Sequence, residues 1–217
     1  FVMTSIDGPD SGGNVTIEAK DILTLADSEK AVAPKAGRGF LSAAIDAVAT
    51  SVTLLPAGIG AEYAASGFAT IGSEIVGFTR SGDVLAITRG QSGTVAAAHN
   101  VNDTVQPTYS VRLARVDAVI KELLETYAGV PSAYIPYAAW QAECERWAPN
   151  LVLTTDICKP EGVAKLIGEL AVLGVTIWWD DVAQLIQLRI NRPPDTDTVT
   201  DITDAANIVT VAQEDRD

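Results

Sequence analysis

Histidine occurs once in this chain, at His99, and cysteine twice, at Cys144 and Cys158. Any Ser-His-Asp or Cys-His machine would therefore have to be built around His99. No Cys/His spacing suits zinc, and no glycine-rich loop matches those that cradle phosphates or a dinucleotide. Basic residues are scarce as well: 15 Lys and Arg stand against 28 Asp and Glu, for a net charge of −13. A surface that grips nucleic acid must replace counterions with clustered Lys and Arg. A local basic patch stays open, but Arg80, Arg89, Arg112 and Arg115 are too scattered in sequence to announce one. Long apolar runs are also missing. The longest candidate, Ala164–Trp179, is broken by Lys165, Glu169 and glycine, short of the roughly 18 apolar residues a membrane span requires. No basic segment precedes an apolar run, so no signal peptide is read.

What is present describes an ordered chain. Its 217 residues are 47% apolar and 20% charged, enough for one large or two small domains. It starts at Phe1 and ends in Gln-Glu-Asp-Arg-Asp, and it reads as a piece of a longer polypeptide.

The clearest signal lies in Gly67–Gln106. Two alternating runs, Glu74–Arg80 and Asp83–Arg89, flank Ser81-Gly82, with Val76 and Phe78 on one face and Leu85 and Ile87 on another. This predicts a hairpin with a two-residue turn. Thr88–Thr94 is a glycine-punctuated corner, followed by small residues, His99 and a short return strand at Thr104–Gln106. Thr50–Leu55 adds a strand upstream, so a small β-barrel or β-sandwich is expected. The flanks differ in period. Val15–Lys20 alternates, and Asp21 caps a short helix carrying Ile22, Leu23 and Leu25. Asp27–Arg38 should wander over the surface. After Val111, the residues Val116, Val119, Ile120, Leu123 and Tyr127 form a helix stripe ended by Gly129. Tyr137, Trp140, Cys144 and Trp147 mark a second helix, with Cys144 as a small core residue. Leu151–Cys158 is a strand. Pro160 then opens a third helix, with Val163, Leu166, Ile167, Leu170 and Leu173 inward and Gly174 at its end. A second hairpin, Val175–Trp179 and Ala183–Asn191, turns at Asp180-Asp181, with Ile186, Leu188 and Ile190 on one face.

The expected fold class is thus α+β: a mixed helix/strand body, in residues 1–38 and 109–194, with an inserted all-β module in 39–108. An acidic linker and a last strand candidate, Asn207–Ala212, occupy 195–217.

The pattern from Ile71-Gly72 and Glu74 through Thr88-Arg89-Gly90, Gly93-Thr94 and His99 to Asp103-Thr104-Val105 resembles a small β module that recurs in virion proteins of long-tailed phages and prophages. With Val15–Pro34 and Trp140–Arg192 beside it, most of the chain resembles the central baseplate or tail-tip hub proteins of siphovirus-like phages. That resemblance implies a structural protein, not an enzyme, with no cofactor or metal. It would form a homo-oligomeric ring, commonly a trimer, assembled in the bacterial cytoplasm at the distal end of the tail tube. There it would join the tube to spike or receptor-binding parts and leave a channel for tape-measure protein and DNA. Assembly in a reducing cytoplasm implies free thiols at Cys144 and Cys158.

Few residues compete for chemistry. Ser92 lies near His99, but Gly90-Gln91-Ser92-Gly93 lacks the spacing of a nucleophile elbow. Arg89, Gly90, Gly93, Thr94 and His99 are therefore read as the turn signature of the module, its glycines taking backbone angles other residues resist. Asp180-Asp181 and Asp195, Asp197, Asp201 and Asp204 fit no calcium loop and read as solvated turns and an acidic segment. Trp178 and Trp179 are neighbours on a strand and face opposite sides. One belongs to the core, and the other packs on a second layer, meets a partner subunit or lies exposed. A carbohydrate-binding adhesin module using exposed aromatics is the alternative reading. A cell-wall hydrolase is a further one, and neither has a positive motif.

Overall fold

The computed structural model describes residues 2–191. The chain opens with an antiparallel ribbon, β1 (Val2–Asp7) and β2 (Thr16–Lys20). The Asp21 carboxylate accepts from the Leu23 amide and starts the expected short helix as a 3-10 turn over Ile22–Leu25. The stretch expected to wander does otherwise. It contains β3 (Val32–Ala33) and buries Ala31 and Ala33, two side chains too small to announce a core position in the sequence.

Next come β4 (Gly39–Leu41), β5 (Ser51–Leu55), a 3-10 turn at Ile59–Glu62, β6 (Ser66–Ile71), β7 (Glu74–Ser81), β8 (Val84–Gln91) and β9 (Thr104–Arg115). The β7–β8 hairpin forms as expected with its turn one residue later, at Gly82-Asp83, because Ser81 pairs with Val84. Gly82 takes a φ of +61° at the first turn position, where a tight hairpin favours glycine. The Asp83 carboxylate then accepts from the amides of Gly58 and Gly60, which holds the 3-10 turn against the hairpin tip.

The return strand is longer than expected: β9 runs 12 residues, not three. Its first half pairs with β4 and β6, and its second half with β10 (Val152–Ile157). These strands form one large antiparallel sheet ordered β10-β9-β4-β5-β8-β7-β6, in which β6 also pairs with β9. The fold is a sheet-dominated α+β structure.

Between β9 and β10 lie α1 (Val116–Glu122), continued by a π-helical turn over Leu123–Tyr127, and α2 (Tyr137–Trp147), which starts after Pro136. After β10, the expected helix start at Pro160 is displaced. Glu161–Gly162 forms β11 and pairs with β3, so α3 begins at Val163 and runs to Leu170. The second hairpin is β12 (Val175–Asp180) and β13 (Leu185–Ile190).

Buried apolar residues fall into two clusters. One holds Leu41, Val52, Leu54, Tyr63, Val76, Phe78, Leu85, Ile87 and Val105 with their neighbours. The other gathers α1, α2, α3 and β13 around Trp140, Cys144, Leu123, Leu124 and Ile186. Trp140 is fully buried and donates from its indole to the Ile186 carbonyl at 3.0 Å, which satisfies its polar edge. Among the described residues, no helix is long and apolar enough to cross a membrane. The acidic segment, the last strand candidate and Asp195, Asp197, Asp201 and Asp204 lie outside the described residues.

Candidate functional site

Three of the five signature residues, Arg89, Gly90 and His99, converge on Glu74, which belongs to the sequence pattern but was given no role there; Thr94 bonds the neighbouring Ile75 amide instead. Glu74 stands at the start of β7, 1% exposed, where the strand turns its side chain inward. Arg89 Nε and Nη2 donate to its two carboxylate oxygens at 2.8 Å each, and the Gly90 and Ala97 amides donate at 2.9 and 3.1 Å. His99 Nε2 lies 2.9 Å from Oε2. An ionised carboxylate only accepts, so this nitrogen carries the proton. Burial alone raises a carboxyl pKa; here the Arg89 fork, His99 and the two amides outweigh it and hold Glu74 well below the usual carboxylate range.

The same residues gather two loops. Arg89 also donates to the carbonyls of Asp46 and Ala97. The backbone of His99 pairs with that of Ile45 in both directions at 2.9 Å. Thr94 Oγ1 accepts from the Ile75 amide at 3.0 Å and donates to the Gln91 carbonyl at 2.7 Å. Gly90 and Gly93 take φ values of +59° and +79°. A Cβ on Gly90 would also come within 3.1 Å of the Thr94 carbonyl oxygen. The result is a rigid end to the module that presents Val48 and Val95, 78% and 81% exposed.

Ser92 and His99 do not form a pair. Ser92 Oγ accepts from Arg112 Nη2 at 2.8 Å, and that guanidinium grips Asp156 at 2.7 and 2.9 Å. Ser110 Oγ also bonds Asp156, and Arg112 lies over the Phe68 ring at 5.0 Å. Burial raises the Asp156 pKa, and the bonds from Ser110, Ser92 and Arg112 bring it below its ordinary value. A bulge in the β9–β10 ladder around Arg112 and Leu113 breaks the strict alternation and turns Arg112 to this position. The contact clasps the module corner to the β9–β10 pair.

A second buried carboxylate, Asp117, receives Arg115 Nε and Nη2 at 2.8 Å each, and Arg115 Nη1 reaches Glu145 at 2.8 Å. Both Asp117 and Cys144 are fully buried, and burial pushes the Cys144 thiol up to about 11. Cys144 and Cys158 are free thiols. Asp180 Oδ1 accepts from the amides of Val182 and Ala183 at 2.9 Å, which is turn chemistry. Among the described residues, no group of three or more His, Cys, Asp or Glu could hold a metal ion.

The two tryptophans separate as strand geometry requires. Trp179 packs on the helical cluster with its ring edge-on to Tyr134 at 5.9 Å. Trp178 is 40% exposed, opposite Gln187 and on the face that also carries Thr176 and Arg189.

No role for Glu74, Asp117 or the Arg112–Asp156 clasp was legible in the sequence, because an acid on a strand or in a first helical turn ordinarily faces water. The signal for Glu74 was its place directly before the apolar Ile75 and Val76. The chain matches no protein-family model, and no curated protein or solved structure was found to be similar to it.

Proposed function

We propose that this chain is a structural subunit of a phage or prophage tail, part of the central baseplate or tail-tip hub that joins the tail tube to spike or receptor-binding parts. The observation that carries this reading is the use to which the signature residues are put. Arg89, Gly90, Thr94 and His99 all serve to brace one end of a β module around Glu74. That module is tied to a helical body by a continuous strand and a salt-bridged clasp. Such an arrangement holds a shape and offers surfaces. We further infer that β4 to β9 of the module form a small closed barrel, since the pairing path returns from β6 to β9.

The subunit would assemble in the bacterial cytoplasm into a ring, commonly a trimer, with the exposed face of β12–β13 as one contact. Gold-labelled antibody against the chain should decorate the distal tip of tails in virions from its source. Labelling on capsids, or none on tails, overturns the hub reading. Specific retention on a glycan array, abolished by Trp178→Ser, would favour the adhesin alternative.

A further inference from the structure

The β1–β2 ribbon is unusual in that neither strand holds a buried residue. A two-stranded ribbon standing alone in water is marginal at best and needs a cover on its apolar face. That face is built deliberately by register. A bulge at Thr4 shifts the ladder between Met3 and Ser5, so Met3 sits opposite Ala19 and Ile6 opposite Ile17. Three residues apart, Met3 and Ile6 would otherwise point to opposite sides. With the bulge, Met3, Ile6, Ile17 and Ala19 share one face. Met3 is 61% exposed and Ile6 and Ile17 are each 59% exposed. The charged residues, Asp7, Glu18 and Lys20, lie on the other face, where Ser5 Oγ donates to Glu18 at 3.0 Å.

We propose that this ribbon is an assembly arm whose uncharged face packs against the same face of neighbouring copies of the chain. Charge argues for that occupant. At a net −13, copies of this protein repel one another on approach. The Met3, Ile6, Ile17 and Ala19 face brings no like charges together when it meets itself, and a symmetric assembly repeats the same patch on every subunit. A basic or otherwise charged partner would be drawn to the opposite face instead. Size sets the strength: strands of six and five residues span about 20 by 10 Å, well below the ~800 Å² per partner of a stable complex. One arm contact is therefore weak, and it gains where the arms of several copies meet at the symmetry axis of a closed assembly.

The inference deepens the hub reading and rests on it only for the presence of several copies in contact. Ile17→Cys, Ile6→Cys and Thr16→Cys in the full chain test it, with the unaltered protein as background for Cys144 and Cys158. After mild oxidation, a cross-linked species should dominate for Ile17→Cys and Ile6→Cys and be a trace for Thr16→Cys, whose side chain lies on the other face. In sedimentation over a concentration series, Ile6→Asp with Ile17→Asp should shift associated species to monomer with an unchanged thermal melt. Equal cross-linking from both faces, no cross-linking at all, or self-association untouched by the Asp pair overturns the arm. Gold at the tail tip without arm cross-links would sink the arm and leave the hub standing.

Discussion

Glu74 is a charge buried as deeply as the valine two positions after it. A carboxylate survives there because every approach to its oxygens is filled by a donor, two of them on the Arg89 guanidinium. Removing one partner strands the other, which typically costs about 3–5 kcal/mol for a buried pair. Glu74→Gln should therefore destabilise by about 3 kcal/mol in a urea melt, and a loss no larger than that of an exposed substitution would contradict the bracing role. The pH dependence has a definite sign. The folded carboxyl titrates below its ordinary value of 4.5, so its contribution is complete above that pH and is lost as the pH falls further toward the folded pKa. The stability gap between wild type and Glu74→Gln should be constant near neutrality and narrow below about pH 4.5. At the second hairpin, Trp178→Ser should weaken self-association and leave the melt unchanged. Trp179→Ser should cost about 2 kcal/mol, less than a fully buried aromatic because the ring is only half-buried. Light scattering beside a denaturant melt separates the two, and equal damage from both would remove the interface role of Trp178.

Among the elements, β9 alone belongs to both cores, with Val105 in one and Tyr109 and Val111 in the other. The helical cluster draws no residue from 39–108. Replacing 39–108 by a Gly/Ser linker should thus leave a cooperatively melting helical remainder, measured by circular dichroism, though without the Ser92 and Phe68 contacts to Arg112. Loss of cooperative melting would mean that the two clusters fold as one unit. Elements whose own residues carry a period were legible in the sequence: the β7–β8 and β12–β13 hairpins, α2 with Trp140 and Cys144 inward, and the Asp21 cap. Those defined by distant partners were not. The strand β6 reads as small residues around Gly67 and Ala69, and it is made a strand by pairing with β7 and β9. Pro107 interrupts β9 in the sequence, yet it sits within the ladder opposite Ala69. The candidate site was half legible for the same reason. The turn residues announced themselves, whereas the carboxylate they surround needed the fold to bring position 74 to positions 89, 90, 97 and 99.

For the whole molecule, the charge of −13 bears on the conduit that the proposed hub reading would require. Phosphates held by Lys and Arg would brake DNA passing through a tail. A gel shift at low salt, where attraction is least screened, should show no DNA affinity; binding that fades steeply with added salt would reveal a basic track and remove the conduit role. The long strand bears on a second, mechanical demand that the proposed hub role would make. A tensile load between the two cores travels along β9, gripped by β4 and β6 at one end and β10 at the other. Drawing the cores apart lengthwise must shear a ladder whose bonds lie across the pull and share it, whereas a hairpin such as β12–β13 pulled from its open end yields one bond at a time. On the proposed hub reading, force arriving at one core would pass along β9 to the other through the strand itself, with no flexible linker between them.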